Sequence, residues 1–160
     1  MCGIAAVIGR EGANTRERAQ RAIAIMRHRS PDGSGVWQSK DGRVSLSHTR
    51  LSTIDLLSGA QPILNEDGTI VAVNGEFYGF EEIRKELEGF GHRFRTRTDS
   101  EILVHLYERH GTSCLAHLHG EFAFVVWDER EQTLFAARDR FGTSHSIFRR
   151  SRERFCFRPR

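Results

Sequence analysis

Long apolar runs are missing from this 160-residue chain. None approaches the ~20 residues that a membrane-spanning helix needs, so a helical membrane protein is excluded and no membrane partner is expected. Cysteine is scarce: Cys2, Cys114 and Cys156 are odd in number and scattered, which rules out a disulfide framework. The opening MCGIAAVIGR has no basic leader, so secretion is not expected and the reducing cytoplasm is the expected compartment. Metal-binding patterns are also absent. There is no C-x-x-C and no H-E-x-x-H, and His117-x-His119 is only a pair, so no metal site is expected. Nor is there a G-x-x-x-x-G-K-[ST] loop, or a G-x-G-x-x-G after a strand, to cradle a nucleotide.

Positive charge is present but local. Residues 143–160 carry six arginines against Glu153, a net of +5, whereas the remaining residues sum to −2 within a chain total of +3. A nucleic-acid binder spreads its basic residues over a face or helix of the fold, so no nucleic-acid partner is expected. The rest of the composition, 38% hydrophobic and 28% charged, is that of an ordinary globular protein. Its length suits one domain with one sizeable core.

Residues 2–9 read as a short buried strand. Asn14 and Glu17 have the spacing of a capping box, and Ala19, Ala22, Ile23 and Met26 follow at helical spacing. That helix should stop near His28, because Pro31 disfavours helix just before it. Strands are expected over 35–39 and 43–48, joined through Asp41-Gly42, and over 70–77, running into an Asn74-Gly75 turn. Residues 80–89 and 100–110 read as amphipathic helices, with Asp99 at an N-cap position. Residues 120–139 read as two strands around a polar turn. Helices lying between groups of hairpin-linked strands point to an α+β fold with antiparallel sheets.

Three features could carry chemistry. Cys2 would become amino-terminal once Met1 is removed, as a small second residue permits. Its α-amine, with a pKa of about 7.7–8, could then act as base for its own thiol. Position alone favours a buried cysteine opening a strand. Asn74 and Gly75 could offer a side-chain amide and an unhindered backbone N–H to one oxyanion, although Asn-Gly by itself more often means a tight turn. Arg50 and Asp99 supply the fixed cation and fixed anion that an amino-acid substrate requires. Taken singly, they read as a surface arginine and a helix cap.

Read in order, the segments MCGIAAVIG, RHRSPDGSG (27–35), LSHTRLSTIDLLSGAQPI (46–63), VNGEFYGFEEIRKEL (73–87), FRTRTDSEILVHLYERHG (94–111), LHGEFAFVVWDE (118–129) and ARDRFG (137–142) cover nearly all of 1–142. Together they resemble the class II glutamine amidotransferase domain of glutamine-hydrolysing asparagine synthetases. The resemblance implies an N-terminal-nucleophile hydrolase, a four-layer sandwich with two antiparallel sheets between helical layers. It implies L-glutamine as substrate, hydrolysed to glutamate and ammonia. Carried over by position, Cys2 is the nucleophile and Arg50 holds the substrate α-carboxylate, with Leu51, Ser52, Thr53 and Ile54 lining the same pocket. Asn74 and Gly75 form the oxyanion hole, Glu76 is the next pocket residue, and Asp99 holds the α-ammonium.

In this family ammonia passes to a synthetase domain where ATP activates aspartate, so ATP and Mg2+ would belong to that domain. No cofactor is expected in these residues, and a separate synthetase domain or chain is a candidate partner. Ser30 stands where the family usually has glycine, and after Gly142 its pattern gives way to TSHSIF and an arginine-rich end. The resemblance thus divides the chain into an amidotransferase domain, 1–142, and a divergent tail, 143–160. A non-catalytic glutamine-binding module and an inactive truncated fragment are the competing readings. Joint retention of Cys2, Arg50, Asn74, Gly75 and Asp99 favours the enzyme over the binding module.

Overall fold

A computed structural model describes residues 2–30, 32–50 and 60–144, with Arg29 and the segments 146–151 and 154–159 described by backbone alone. The first strand, β1 (Gly3–Ile8), leads into α1 (Thr15–Met26) and a 3-10 turn over Arg27–Arg29. A hairpin, β2 (Gly33–Gln38) and β3 (Val44–Arg50), follows. Beyond it come β4 (Ile63–Leu64), β5 (Thr69–Phe77), α2 (Phe80–Gly89) and α3 (Glu101–His110). A 3-10 stretch (Gly111–His117), β6 (Gly120–Asp128), β7 (Thr133–Arg138), β8 (Ser146–Ser151) and β9 (Arg154–Pro159) complete the described elements. Two antiparallel sheets result, ordered β2-β3-β1-β9-β8 and β4-β5-β6-β7.

Strand alternation builds the layers. On β1, Ile4 and Ala6 join Val44 and Leu46 of β3 against Ile70, Ala72, Val125 and Trp127, filling the space between the sheets. The intervening Ala5 turns the other way and packs on Ile23 and Met26 of α1. On β5, Val71, Val73 and Phe77 face outward and meet Leu87, Ile102, Leu103 and Leu106 of the paired helices. The order is therefore α1, five-stranded sheet, four-stranded sheet, α2–α3. Each fully buried large side chain in these interfaces contributes about 1.5–3 kcal/mol. No helix among the described residues is long and apolar enough to cross a membrane.

Several local expectations change in the folded chain. Asn14 makes no side-chain cap to α1. Buried Thr15 anchors that end instead, its hydroxyl donating to the Gly42 carbonyl at 2.6 Å and lying 2.9 Å from Ser45 Oγ. Asp41-Gly42 does lie in the β2–β3 connection, where Gly42 adopts φ +71° and Asp41 accepts from the Ser39 hydroxyl at 2.6 Å. Asn74-Gly75 is not a turn. Both residues lie inside β5, in register with Ala123 and Phe122 of β6. Strand β4 and the 3-10 stretch had no counterpart in the sequence reading, being too short to show a period.

Candidate active site

The site begins with one end of three strands. Gly3 of β1 is in register with Thr49 of β3, so continuing that pairing by one residue sets Cys2 opposite Arg50. Cys2 directly precedes β1, and the alternation of that strand, continued by one residue, would set it on the face of Ile4 and Ala6. Arg50 shares the face of Val44 and Leu46 on β3, and Asn74 and Glu76 share that of Ile70 and Ala72 on β5. Cys2 and Arg50 are partly exposed, Asn74 is buried and Glu76 is exposed. Strand order and pleat thus bring Arg50, Asn74 and Glu76 to the facing surfaces of the two sheets, with Cys2 directly ahead of β1.

His48 joins those surfaces. Its Nε2 lies 3.1 Å from the Val73 carbonyl on the opposing sheet. A carbonyl only accepts, so Nε2 carries the proton. Burial pushes the His48 pKa down to about 4, which keeps the ring neutral at physiological pH. Next along β5, the Asn74 side chain is 2% exposed and its Oδ1 has no hydrogen-bond partner among the described residues. A buried amide oxygen in that state is costly unless a ligand or water completes it.

The β5 backbone presents a row of donors beside it. Asp139 N–H donates to Phe122 O, which turns the Phe122 backbone toward β7. Gly75, in register with Phe122, therefore directs its N–H away from β6. Its neighbours on the same edge are taken: Val73 N–H donates to Gln61 Oε1 at 2.6 Å, and Phe77 N–H donates to Asp99 Oδ2 at 2.8 Å. Between those two bonds the Gly75 N–H sits on an exposed stretch of strand. Glycine is required there, since φ is +142° and an added Cβ would lie 2.0 Å from the Glu121 carbonyl oxygen.

Asp99 does not cap α3 with its side chain. Ser100 is the residue at the N-cap, and the Asp99 carboxylate turns to β5 and to the Ser100 hydroxyl, 3.4 Å away. Burial is the chief cause that raises its pKa, opposed by its hydrogen bonds and reinforced by the negative charge of Glu76. A buried carboxylate in this state favours a cationic partner. Leu51, Ser52, Thr53 and Ile54 lie outside the described residues. His48 and Gln61 are the supporting residues that sequence reasoning missed; Gln61 also donates to the Ser100 hydroxyl at 3.4 Å, tying β5 to the Asp99 loop. Both sat inside the quoted 46–63 segment, but nothing local singled them out.

Comparison with known proteins shows the family and the fold. The sequence profile of the glutamine amidotransferase domain matches residues 1–158. The probable glutamine-hydrolyzing asparagine synthetase of Dictyostelium discoideum is 43% identical over 146 residues, covering 89% of this chain and 26% of that protein. Glutamine-hydrolyzing asparagine synthetase 1 of Arabidopsis thaliana is 45% identical over 147 residues, covering 90% and 24%. An amidase, chry2, of Gibberella zeae is 43% identical over 155 residues, covering 89% and 23%. The chain spans about a quarter of the length of these relatives. Among solved structures, glutamine phosphoribosylpyrophosphate amidotransferase from B. subtilis superposes with a TM-score of 0.84 at 19% identity, over 98% of this chain and 41% of that one. The shared architecture is an α+β sandwich of two stacked antiparallel sheets.

Proposed function

Because this chain belongs to the glutamine amidotransferase domain family, we propose that it hydrolyses L-glutamine to glutamate and ammonia with Cys2 as nucleophile. The reading is supported by the strand register, which sets Arg50 and Asn74 on the facing sheet surfaces near the start of β1, where Cys2 lies, and turns the Gly75 N–H outward beside them. Arg50 pairs with the substrate α-carboxylate and Asp99 with its α-ammonium. With Met1 removed, the Cys2 amine takes the thiol proton, and the thiolate attacks the side-chain amide carbon. The oxyanion that forms accepts hydrogen bonds from the Asn74 amide and the Gly75 N–H, each donor contributing about 2.7–4 kcal/mol in comparable sites. Collapse of the adduct breaks the C–N bond, and the amine returns its proton to the leaving ammonia. Water, deprotonated by the same amine, then cleaves the γ-glutamyl thioester and frees glutamate and the Cys2 thiol.

Leu51 to Ile54 and Glu76 complete the substrate pocket in this reading. The proposed reaction uses side chains, the Gly75 backbone N–H, the terminal amine and water. ATP, Mg2+ and aspartate belong to a synthetase domain or chain outside these residues, which receives the ammonia. The test is glutamate release from L-glutamine by the full chain and by Cys2→Ala. Turnover confined to the parent supports the reading, and equal turnover in Cys2→Ala overturns it.

A further inference from the structure

A second chemical cluster lies on the helical layer beyond the four-stranded sheet, away from the inter-sheet surfaces. We propose that His92, His105 and Glu108 form a binding site for one divalent transition-metal ion of the Zn2+ class. His105 and Glu108 are three residues apart on α3, the spacing that puts two side chains on one helix face. His92 comes from the turn after α2, where its N–H donates to the Leu87 carbonyl at 3.1 Å. The three donor atoms lie within 4.8 Å of one another.

The distances at Glu108 match those between ligands of one ion. Glu108 Oε2 lies 3.3 Å from His105 Nδ1 and 3.4 Å from His92 Nδ1. A charge-assisted N–H···O bond closes to about 2.7–2.9 Å. Nitrogen and oxygen ligands held about 2.0–2.1 Å from a tetrahedral ion are instead about 3.3–3.4 Å apart. Both edges at Glu108 have that length. The imidazole centroids are 5.0 Å apart with planes tilted by 50°, so the rings converge rather than stack flat.

The surroundings are mixed in charge, with Arg93 and Arg95 bordering the site together with Glu66 and Glu101. His105 is buried, its Nε2 has no hydrogen-bond partner among the described residues, and the Phe94 ring edge packs on it with centroids 4.5 Å apart. A cavity of about 270 Å³, bordered by Asn65, Glu66 and Arg93 as well as the three ligands, leaves a fourth position open to water. Two imidazoles and one carboxylate suit Zn2+, Co2+ or Ni2+ better than Mg2+ or Ca2+, which take oxygen ligands. By contrast, the His117 singled out in the sequence stacks on His110, with ring centroids 4.3 Å apart.

The test uses the full chain carrying Cys2→Ser, which removes the thiolate at the proposed active site as a rival ligand. Zinc chloride is titrated calorimetrically, and melting is followed with and without zinc. The expected result is one equivalent bound and a zinc-dependent rise in Tm, with affinity at least tenfold weaker in His92→Ala and in Glu108→Gln and unchanged in His117→Ala. Both altered side chains are partly exposed, so metal-free melts near that of the parent confirm that the variants fold. Cobalt(II) should bind with a visible spectrum lacking thiolate charge transfer. Absence of zinc binding, binding unchanged in both variants, or a thiolate cobalt spectrum would overturn the proposal.

Discussion

Cys2 and Asn74 are assigned different moments of one reaction, and kinetics can tell them apart. Intact mass should show Met1 removed, and Cys2→Ala should take glutamate release below detection. A one-residue extension ahead of Cys2 should do nearly the same, since it turns the catalytic amine into an amide. Asn74→Ala should lower kcat by about 10²–10³ with little change in KM, because its amide matters once the oxyanion forms. Asp99→Asn retains an acceptor for the Phe77 N–H but loses the charge, so KM should rise while the melting temperature holds. Gly75→Ala should cost roughly 1–3 kcal/mol of stability in a denaturant melt, because its Cβ would collide with Glu121 at a φ of +142°. A melt unchanged from the parent would show that β6 can retreat.

At the scale of elements, His48 is a polar link between β3 and β5 beside the apolar side chains that fill the space between the sheets. Its folded pKa of about 4 lies below the ordinary 6.5, so the folded state binds fewer protons than the unfolded state between those values. Its contribution is complete above pH 6.5 and is lost as the pH falls toward 4, at about 1.4 kcal/mol per unit at most. The raised pKa of Asp99 acts in the opposite sense, since protonating that buried carboxyl relieves part of its cost. Comparing the parent with His48→Gln isolates the histidine. The parent should lose stability more steeply from pH 6.5 to 4, and parallel denaturant midpoints across that window would refute the role. Helix α3 shows why element and role were legible to different degrees. Its apolar spacing announced a helix, yet residues 101–107 are all buried, His105 included, because the sheet and α2 close over it. Periodicity reports which residues point together, and only packing reports what they meet.

At the scale of the whole molecule, the chain should release glutamate and ammonia but make no asparagine when given aspartate, ATP and Mg2+. Asparagine in an amino-acid analysis of that mixture would overturn this division of labour. The alternation of strand residues, the two helices of 80–110 and the α+β class follow from local patterns that the residues carry themselves. So do the types of group needed for amide hydrolysis: a thiol next to a potential terminal amine, an arginine, an amide and a carboxylate. The tertiary structure decided the rest. Locally Asn74-Gly75 prefers a turn, but nine register pairs with β6 hold it in a strand and turn the Gly75 N–H outward. Locally Asp99 suits a cap, but the free N–H of Phe77, 22 residues away in sequence, takes its carboxylate instead. His48 with Val73, Gln61 with Ser100, and His92 with Glu108 are likewise partners brought together across long separations. Such pairs leave no period in a sequence, because each forms only after the sheets have stacked and the helices have docked on them.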